Sequence, residues 1–159
     1  MSTHLGQPTR QDRHWLGEAI ALSHKCPRSA TAFCVGAVVV DQRGEEIARG
    51  HSREADDHQH AEEAALAKLD PHDPRLADAT LYSSLEPCGL RKSRPAPCAR
   101  LIAAAGIPRV VYAWREPSLF VAARQGLAIL TAAGITVVEI PDLASAARAA
   151  NTYLPGIDP

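Results

Sequence analysis

The chain has 159 residues, of which 46% are apolar and 22% charged, and its formal net charge is −1. That length suits one domain of ordinary size, and the composition is that of a globular protein rather than a disordered one. The near-zero charge excludes a global basic field that would attract nucleic acid or an anionic membrane. No apolar run approaches the roughly 20 residues needed to span a bilayer.

The first twenty residues include His4, Arg10, Asp12, Arg13, His14 and Glu18 and hold no continuous apolar core. No secretory leader is expected there, and the expected location is the cytoplasm. Two disulfides are one reading of the four cysteines. In a reducing compartment they are instead expected to be buried, catalytic or metal-bound. Aromatic residues make up only 4%, so Ala, Val, Leu and Ile must build the core.

Residues 1–9 carry Gly6 and Pro8 without periodicity and read as a flexible arm, leaving 10–159 as a single domain. From Arg10 to about Lys25, Trp15, Leu16, Ala19, Ile20 and Leu22 recur at helical spacing, and the helix must end before Pro27. Cys34–Val40 is a β-branched apolar run and predicts a buried strand. A turn at Asp41–Gly44 and a partner strand at Glu46–Gly50 complete a hairpin. Ser52–Gln59 reads as a loop. Ala61–Leu69 is helical, with Ala61, Ala64, Ala65 and Leu69 on one side. Ala79–Ser83 predicts a strand, and Leu85–Pro97 an irregular loop.

Two helix–glycine–strand units follow. Leu101–Gly106 leads into Arg109–Ala113, and Leu127–Gly134 leads into Thr136–Ile140. Such units predict parallel neighbouring strands. A last Ala-rich helix is expected over about Leu143–Asn151. The architecture is α/β, with helices on both faces of one sheet.

Three short stretches carry the chemistry: His60-Ala61-Glu62, Pro87-Cys88 and Pro97-Cys98. Proline suits the first turn of a helix, so all three candidate ligands are expected near helix N-termini, where unpaired amides favour thiolate over thiol. One imidazole and two thiolates give Zn²⁺ three protein ligands and leave a fourth position open, as in catalytic rather than structural sites. Glu62 lies beside that position and is placed to move protons. Each residue alone has an ordinary explanation as surface, core or buried thiol. The conjunction of His-x-Glu with two Pro-Cys pairs is the zinc-deaminase pattern, apart from its second cysteine spacing.

At these residues the sequence resembles the cytidine deaminase-like superfamily, and within it the deaminase domain of bacterial riboflavin biosynthesis. The resemblance rests on His60–Leu66, on Ser84-Leu85-Glu86-Pro87-Cys88, on Arg94-Pro95-Ala96-Pro97-Cys98 and on the Val35–Val40 strand. It covers roughly residues 12–152. It implies a three-layer α/β/α fold with a mixed central sheet of about five strands. It also implies zinc held by His60, Cys88 and Cys98, and Glu62 as proton shuttle in hydrolytic loss of an exocyclic amine. His51 falls where such enzymes carry a substrate-contacting histidine, and Arg94 where they carry a basic loop residue. A homodimer is implied as well, and the small residues around Ala64 and Ala103 suit a close interface.

The departures are specific. Ala32-Phe33 and Glu116-Pro117-Ser118-Leu119 replace stretches in which the family carries asparagines. The cysteine spacing is one residue longer than in the riboflavin-type loop, and far longer than the Cys-x-x-Cys of tRNA adenosine deaminases, which argues against a tRNA substrate.

Phe33 is read as a stacking wall for a flat heterocycle or as core at a strand start, and Trp114 likewise. Arg91, Lys92 and Arg94 form a basic cluster suited to a substrate phosphate. Cys26 and Cys34 are read as structural and His58 as loop surface. The expected substrate is a small aminopyrimidine, nucleoside or nucleotide, with the riboflavin-pathway diaminohydroxyphosphoribosylaminopyrimidine the leading candidate. A salvage or specialised-metabolism deaminase of another aminoheterocycle is the alternative, and a non-catalytic zinc-stabilised binding module the second. A membrane or nucleic-acid partner is not expected.

Overall fold

The protein is described by a computed structural model over residues 7–90, 96–117 and 125–159. Of the arm expected at 1–9, residues 1–6 lie outside the described part. Thr9 already belongs to the fold, because it caps the first helix, α1 (Arg10–Ser23). Its hydroxyl accepts from the Asp12 amide at 3.0 Å and its own amide donates to Asp12 Oδ2 at 2.9 Å, a reciprocal cap that satisfies two otherwise orphaned donors.

Five strands form one mixed sheet in the order β2-β1-β3-β4-β5. β1 (Gly36–Val40) pairs antiparallel with β2 (Glu46–His51) and with β3 (Thr80–Leu85). β4 (Arg109–Trp114) and β5 (Thr136–Glu139) continue parallel to β3, as the two helix–glycine–strand units require. Gly106 and Gly134, the expected helix ends, have φ of 80° and 78°, a left-handed conformation that costs a β-carbon-bearing residue about 1–2 kcal/mol.

All five residues of β1 are buried, which demands cover on both faces. Two glycines show how that cover fits. A Cβ on Gly36 would fall 1.9 Å from Ala19 O of α1, and one on Gly50 would fall 2.6 Å from Ala65 N of α2 (Ala61–Leu66). Gly36 pairs with His51, so the neighbouring Gly50 presents the opposite face of the sheet. α1 and α5 (Ala144–Ala149) therefore cover one face; α2, α3 (Cys98–Ala105) and α4 (Gln125–Ala132) cover the other. No helix among the described residues is long and apolar enough to cross a membrane.

Two expectations change. α2 stops at Leu66 rather than Leu69, because the amides of Lys68 and Leu69 bond three residues back and tighten the last turn. A short 3-10 helix, Pro74–Asp78, fills part of the stretch between α2 and β3. The expectation of reduced cysteines is corrected for one pair: Cys26 and Cys34, structural as read, form a disulfide. The ends of α1 and β1 bring these two residues together, a proximity that spacing alone did not reveal.

Beneath the sheet, Asp12 is 2% exposed yet ionised. Burial opposes its charge. The bidentate Arg109 guanidinium at 2.7 Å, the Thr9 amide and the Tyr82 hydroxyl outweigh burial and hold its pKa down at about 2. A depressed folded pKa gives stability that is present above about pH 4 and is lost as pH falls toward 2. The shift from 3.8 to about 2 corresponds to roughly 2 kcal/mol. Asp12→Asn is expected to cost at least that at pH 7 and to flatten the acid limb of stability between about pH 4 and 2. Urea unfolding of both proteins across that range measures it.

Candidate metal centre and active site

Three elements deliver the candidate ligands to the edge of the sheet where β3 and β4 end. His60 immediately precedes α2, with its backbone in an extended conformation and its amide donating to Glu63 Oε1 at 3.3 Å. Cys98 is the first residue of α3 and Pro97 its N-cap. Cys88 departs from expectation: it starts no helix and lies in the irregular segment after β3. It is held from outside, by the Cys98 amide donating to its Sγ at 3.3 Å and the Ala99 amide donating to its carbonyl at 3.0 Å. The helix that favours a thiolate at Cys88 is thus the one that begins at Cys98.

The ligand atoms converge. His60 Nδ1 lies 3.5 Å from Cys88 Sγ and 3.3 Å from Cys98 Sγ, and all three atoms lie within 4.8 Å of one another. Tetrahedral ligands at ordinary Zn–N and Zn–S bond lengths are separated by roughly 3.5–3.8 Å. The donor set and its spacing therefore fit zinc. Hydrogen bonding with Cys98 and the nearby His60 lower the Cys88 thiol pKa against the opposing effect of burial, which favours the ligating thiolate.

Glu62, one residue into α2, is 4% exposed. The Ser83 hydroxyl on β3 donates to its Oε1 at 2.7 Å and also lies 2.7 Å from Leu85 O. One carboxylate oxygen is therefore fixed by the sheet. Glu62, His60 and Cys88 line a single cavity of about 690 Å³, within the range of about 300–1,000 Å³ common for small-molecule sites.

The remaining sequence candidates divide. Phe33 lines the cavity, backed edge-on by Trp114 at 5.2 Å between ring centroids. Trp114 itself is not among the lining residues. His58 does line the cavity mouth. His51 does not: its Nδ1 lies 3.0 Å from Ser52 O and its Nε2 3.8 Å from Glu54 Oε1. Arg94, with Arg91 and Lys92, lies outside the described residues.

Residue patterns also missed part of the site. Glu86 and Glu116 line the cavity and are 1% and 5% exposed. The Glu116 amide donates to Glu86 Oε1 at 2.9 Å, while Glu116 Oε2 is buried without a hydrogen-bond partner among the described residues. Burial, then the charges at Cys88, Glu86 and Glu62, push the Glu116 pKa up to about 8. The available signal was position: both residues follow the C-terminal ends of adjacent parallel strands, where α/β sheets place ligands.

Residues 9–114 match the family described as the cytidine and deoxycytidylate deaminase zinc-binding region. The diaminohydroxyphosphoribosylamino-pyrimidine deaminase of Schizosaccharomyces pombe is 38% identical over 141 residues, which are 87% of this chain and 34% of that protein. The chain thus spans about a third of that curated relative's length. Among solved structures, Acinetobacter baumannii RibD superposes with a TM-score of 0.76 at 32% identity, over 89% of this chain and 38% of that one. The Aspergillus oryzae Rib2 deaminase, as a C-terminal deletion mutant, superposes with a TM-score of 0.76 at 27% identity, over 87% and 89% of the two chains.

Cys98→Ala is expected to abolish stoichiometric zinc and lower the thermal midpoint, because the ligand and the first turn of α3 go together. Metal analysis of the purified variant checks this, and zinc content equal to wild type would remove Cys98 from the ligand set.

Proposed function

The chain belongs to the cytidine and deoxycytidylate deaminase zinc-binding family, and from that premise we propose that it is a hydrolytic deaminase of an aminopyrimidine. His60, Cys88 and Cys98 hold zinc and Glu62 moves the protons. The observation that carries this reading is Glu62. Its carboxylate is buried in the same cavity as the ligands, yet it is not one of them. A module that merely folded around zinc has no use for that placement.

The reaction exchanges a ring C–NH₂ for C=O with water as co-substrate and ammonia as product. Zinc, when bound, supplies the Lewis acidity that brings water's pKa near ~7. Ser83 holds Glu62 Oε1, which leaves Oε2 to take a proton from water and return it to the departing amine. Phe33 offers an aromatic edge to a flat ring, and the exclusion of solvent around Glu62 strengthens each of these interactions.

The substrate proposed is the diaminohydroxyphosphoribosylaminopyrimidine named for the fission-yeast relative. The exposed Arg28 at the cavity mouth supports a phosphorylated tail, and on sequence grounds so do Arg91, Lys92 and Arg94. One observation favours a second reading, another aminoheterocycle: Ala32 lines the cavity with a methyl group where an amide was expected. A missing hydrogen-bonding side chain can change specificity by orders of magnitude.

A homodimer is proposed through α3 and α4. Ala64 is not available to it, because it packs beneath Gly50 of its own sheet. Ala103, Ala128, Ile129, Ala132 and Ala133 instead line a shallow apolar groove.

Glu62→Gln is expected to keep zinc and fold while turnover falls by about 10²–10⁴-fold, the usual contribution of a general acid–base group. Ammonia release from a panel of aminopyrimidines, their nucleosides and nucleotides, with zinc measured on the same sample, tests the reaction and ranks the substrates. Stoichiometric zinc with no ammonia from any heterocycle would favour a binding module. Light scattering at micromolar concentration is expected to give twice the monomer mass.

A further inference from the structure

The Cys26–Cys34 disulfide is not an isolated staple. It closes a loop whose residues Pro27, Arg28, Ser29, Thr31, Ala32 and Phe33 all line the cavity that Glu62, His60 and Cys88 also line. Two side chains, Arg53 and Tyr153, touch both the loop and the sulfurs. The Arg53 guanidinium donates to Pro27 O at 2.9 Å and to Phe33 O at 3.2 Å, and it lies 3.2 Å from Cys26 Sγ and 3.2 Å from Cys34 Sγ. Arg53 reaches that position with a φ of 56°, an unusual conformation for a residue other than glycine. Its amide is fixed by Gln59 O at 2.7 Å. The Tyr153 hydroxyl adds a further polar contact to Cys34 Sγ at 3.5 Å.

We infer that Cys26 and Cys34 are a reversible redox site, poised by Arg53, that sets the shape of the substrate-binding wall and responds to dithiol reductants. The part of this that concerns substrate rests on the deaminase reading; the redox part does not.

The chemistry balances as a two-electron exchange. A dithiol's thiolate attacks Cys26 Sγ, on the less buried of the two residues at 8% against 2% for Cys34, and the Cys26–Cys34 bond breaks. Cys34 leaves as a thiolate facing Arg53 and the Tyr153 hydroxyl. The second thiol of the reductant then displaces Cys26, which takes up a proton. The reductant departs as its own disulfide, and the other proton passes to solvent. A cation beside the leaving sulfur stabilises the thiolate, and stabilising the reduced form makes a disulfide easier to reduce.

The two ends of the loop respond unequally. The Asn151 side chain clamps the Cys34 backbone, accepting from its amide at 2.6 Å and donating to its carbonyl at 2.9 Å, so Phe33 stays in place. Residues 27–32 lose the cross-link that closes their loop. The ligands and Glu62 come from α2, α3 and the segment after β3, and among the described residues the disulfide sulfurs make no hydrogen bond to any of these. Reduction therefore acts on binding and spares the chemical step.

The test compares oxidised wild type, wild type equilibrated with dithiothreitol, and the Cys26→Ser/Cys34→Ser double variant. Reduction is expected to raise KM about fivefold with kcat within about twofold. The double variant should match the reduced wild type and ignore the reductant, which separates any effect of the dithiol on zinc. Equal KM in all three would overturn the control of the binding wall.

Two readouts need no turnover. Trypsin cleavage after the exposed Arg28 should quicken about tenfold on reduction, as local opening permits; an unchanged rate would also overturn the inference. In Arg53→Met, the exchange equilibrium with dithiothreitol, read by thiol trapping, should shift about tenfold toward the disulfide. If Arg53 merely braced the loop, its loss would shift the equilibrium the opposite way. That result would refute its role.

Discussion

The site depends on the first turn of α3 capturing Cys88. Cys88 belongs to no helix or strand, and a segment of that kind wanders unless its backbone groups find partners. The amides of Cys98 and Ala99 supply them, one to the sulfur and one to the carbonyl. A helix has such donors only at its start, where no intrahelical acceptor exists. The two cysteines, ten residues apart in sequence, are thus brought together by a requirement of helix termination before any metal is considered. His60 arrives by an equivalent route: α2 is pressed onto Gly50, and its leading residue then projects past the sheet edge toward the sulfurs.

That convergence carries an electrostatic cost that defines what the site can hold. Glu62, Glu86 and Glu116 are all nearly inaccessible to water, and two thiols lie beside them. Burial first, and then like charges in a poorly solvated cavity, push Glu116 upward. A divalent cation at the His60, Cys88 and Cys98 cluster offsets this repulsion directly, whereas an uncharged occupant would not. The same acidic floor favours a ligand that presents N–H donors, as an amino-substituted ring does. It disfavours one that presents only acceptors.

Periodicity exposed most of the fold because the sheet is buried on both faces. β1 and β4 announce themselves as β-branched runs, and the glycines at 106 and 134 mark where helices must stop. The convergence of His60, Cys88 and Cys98 was legible because metal binding constrains residue type and local spacing. What escaped were pairings set only by the assembled fold. The amides that hold Cys88 are main-chain groups with no residue signature. Arg53 reads as one more basic loop residue until the sulfurs and carbonyls around it are in place. Glu86 and Glu116 belong to different segments and meet only because β3 and β4 are parallel neighbours. Cys26 and Cys34 lack metal-ligand spacing and read only as structural; their pairing shows once the junction of α1 and β1 is assembled.

The two ends of the cavity contribute unequally to orienting a substrate. At the floor, charges separated by about 4 Å with an effective dielectric near 20 interact by about 4 kcal/mol. At the mouth, Arg28 is exposed and also stacks over Tyr153, 5.2 Å from its ring centroid; an exposed ion pair there is worth about 0–1 kcal/mol. Against the carboxylates alone, before any cation is counted, a phosphorylated ligand entering tail first would meet repulsion and gain nothing at the mouth. Ring first, it avoids the repulsion and collects the weak attraction. On the proposed reading, the carboxylates favour entry ring first, with the ring beside Glu62. The mouth adjusts affinity by less than about a factor of ten. Selection for a phosphate can then be altered by changing the rim while the buried carboxylates stay as they are, because the two operate on different scales of energy and in different solvation.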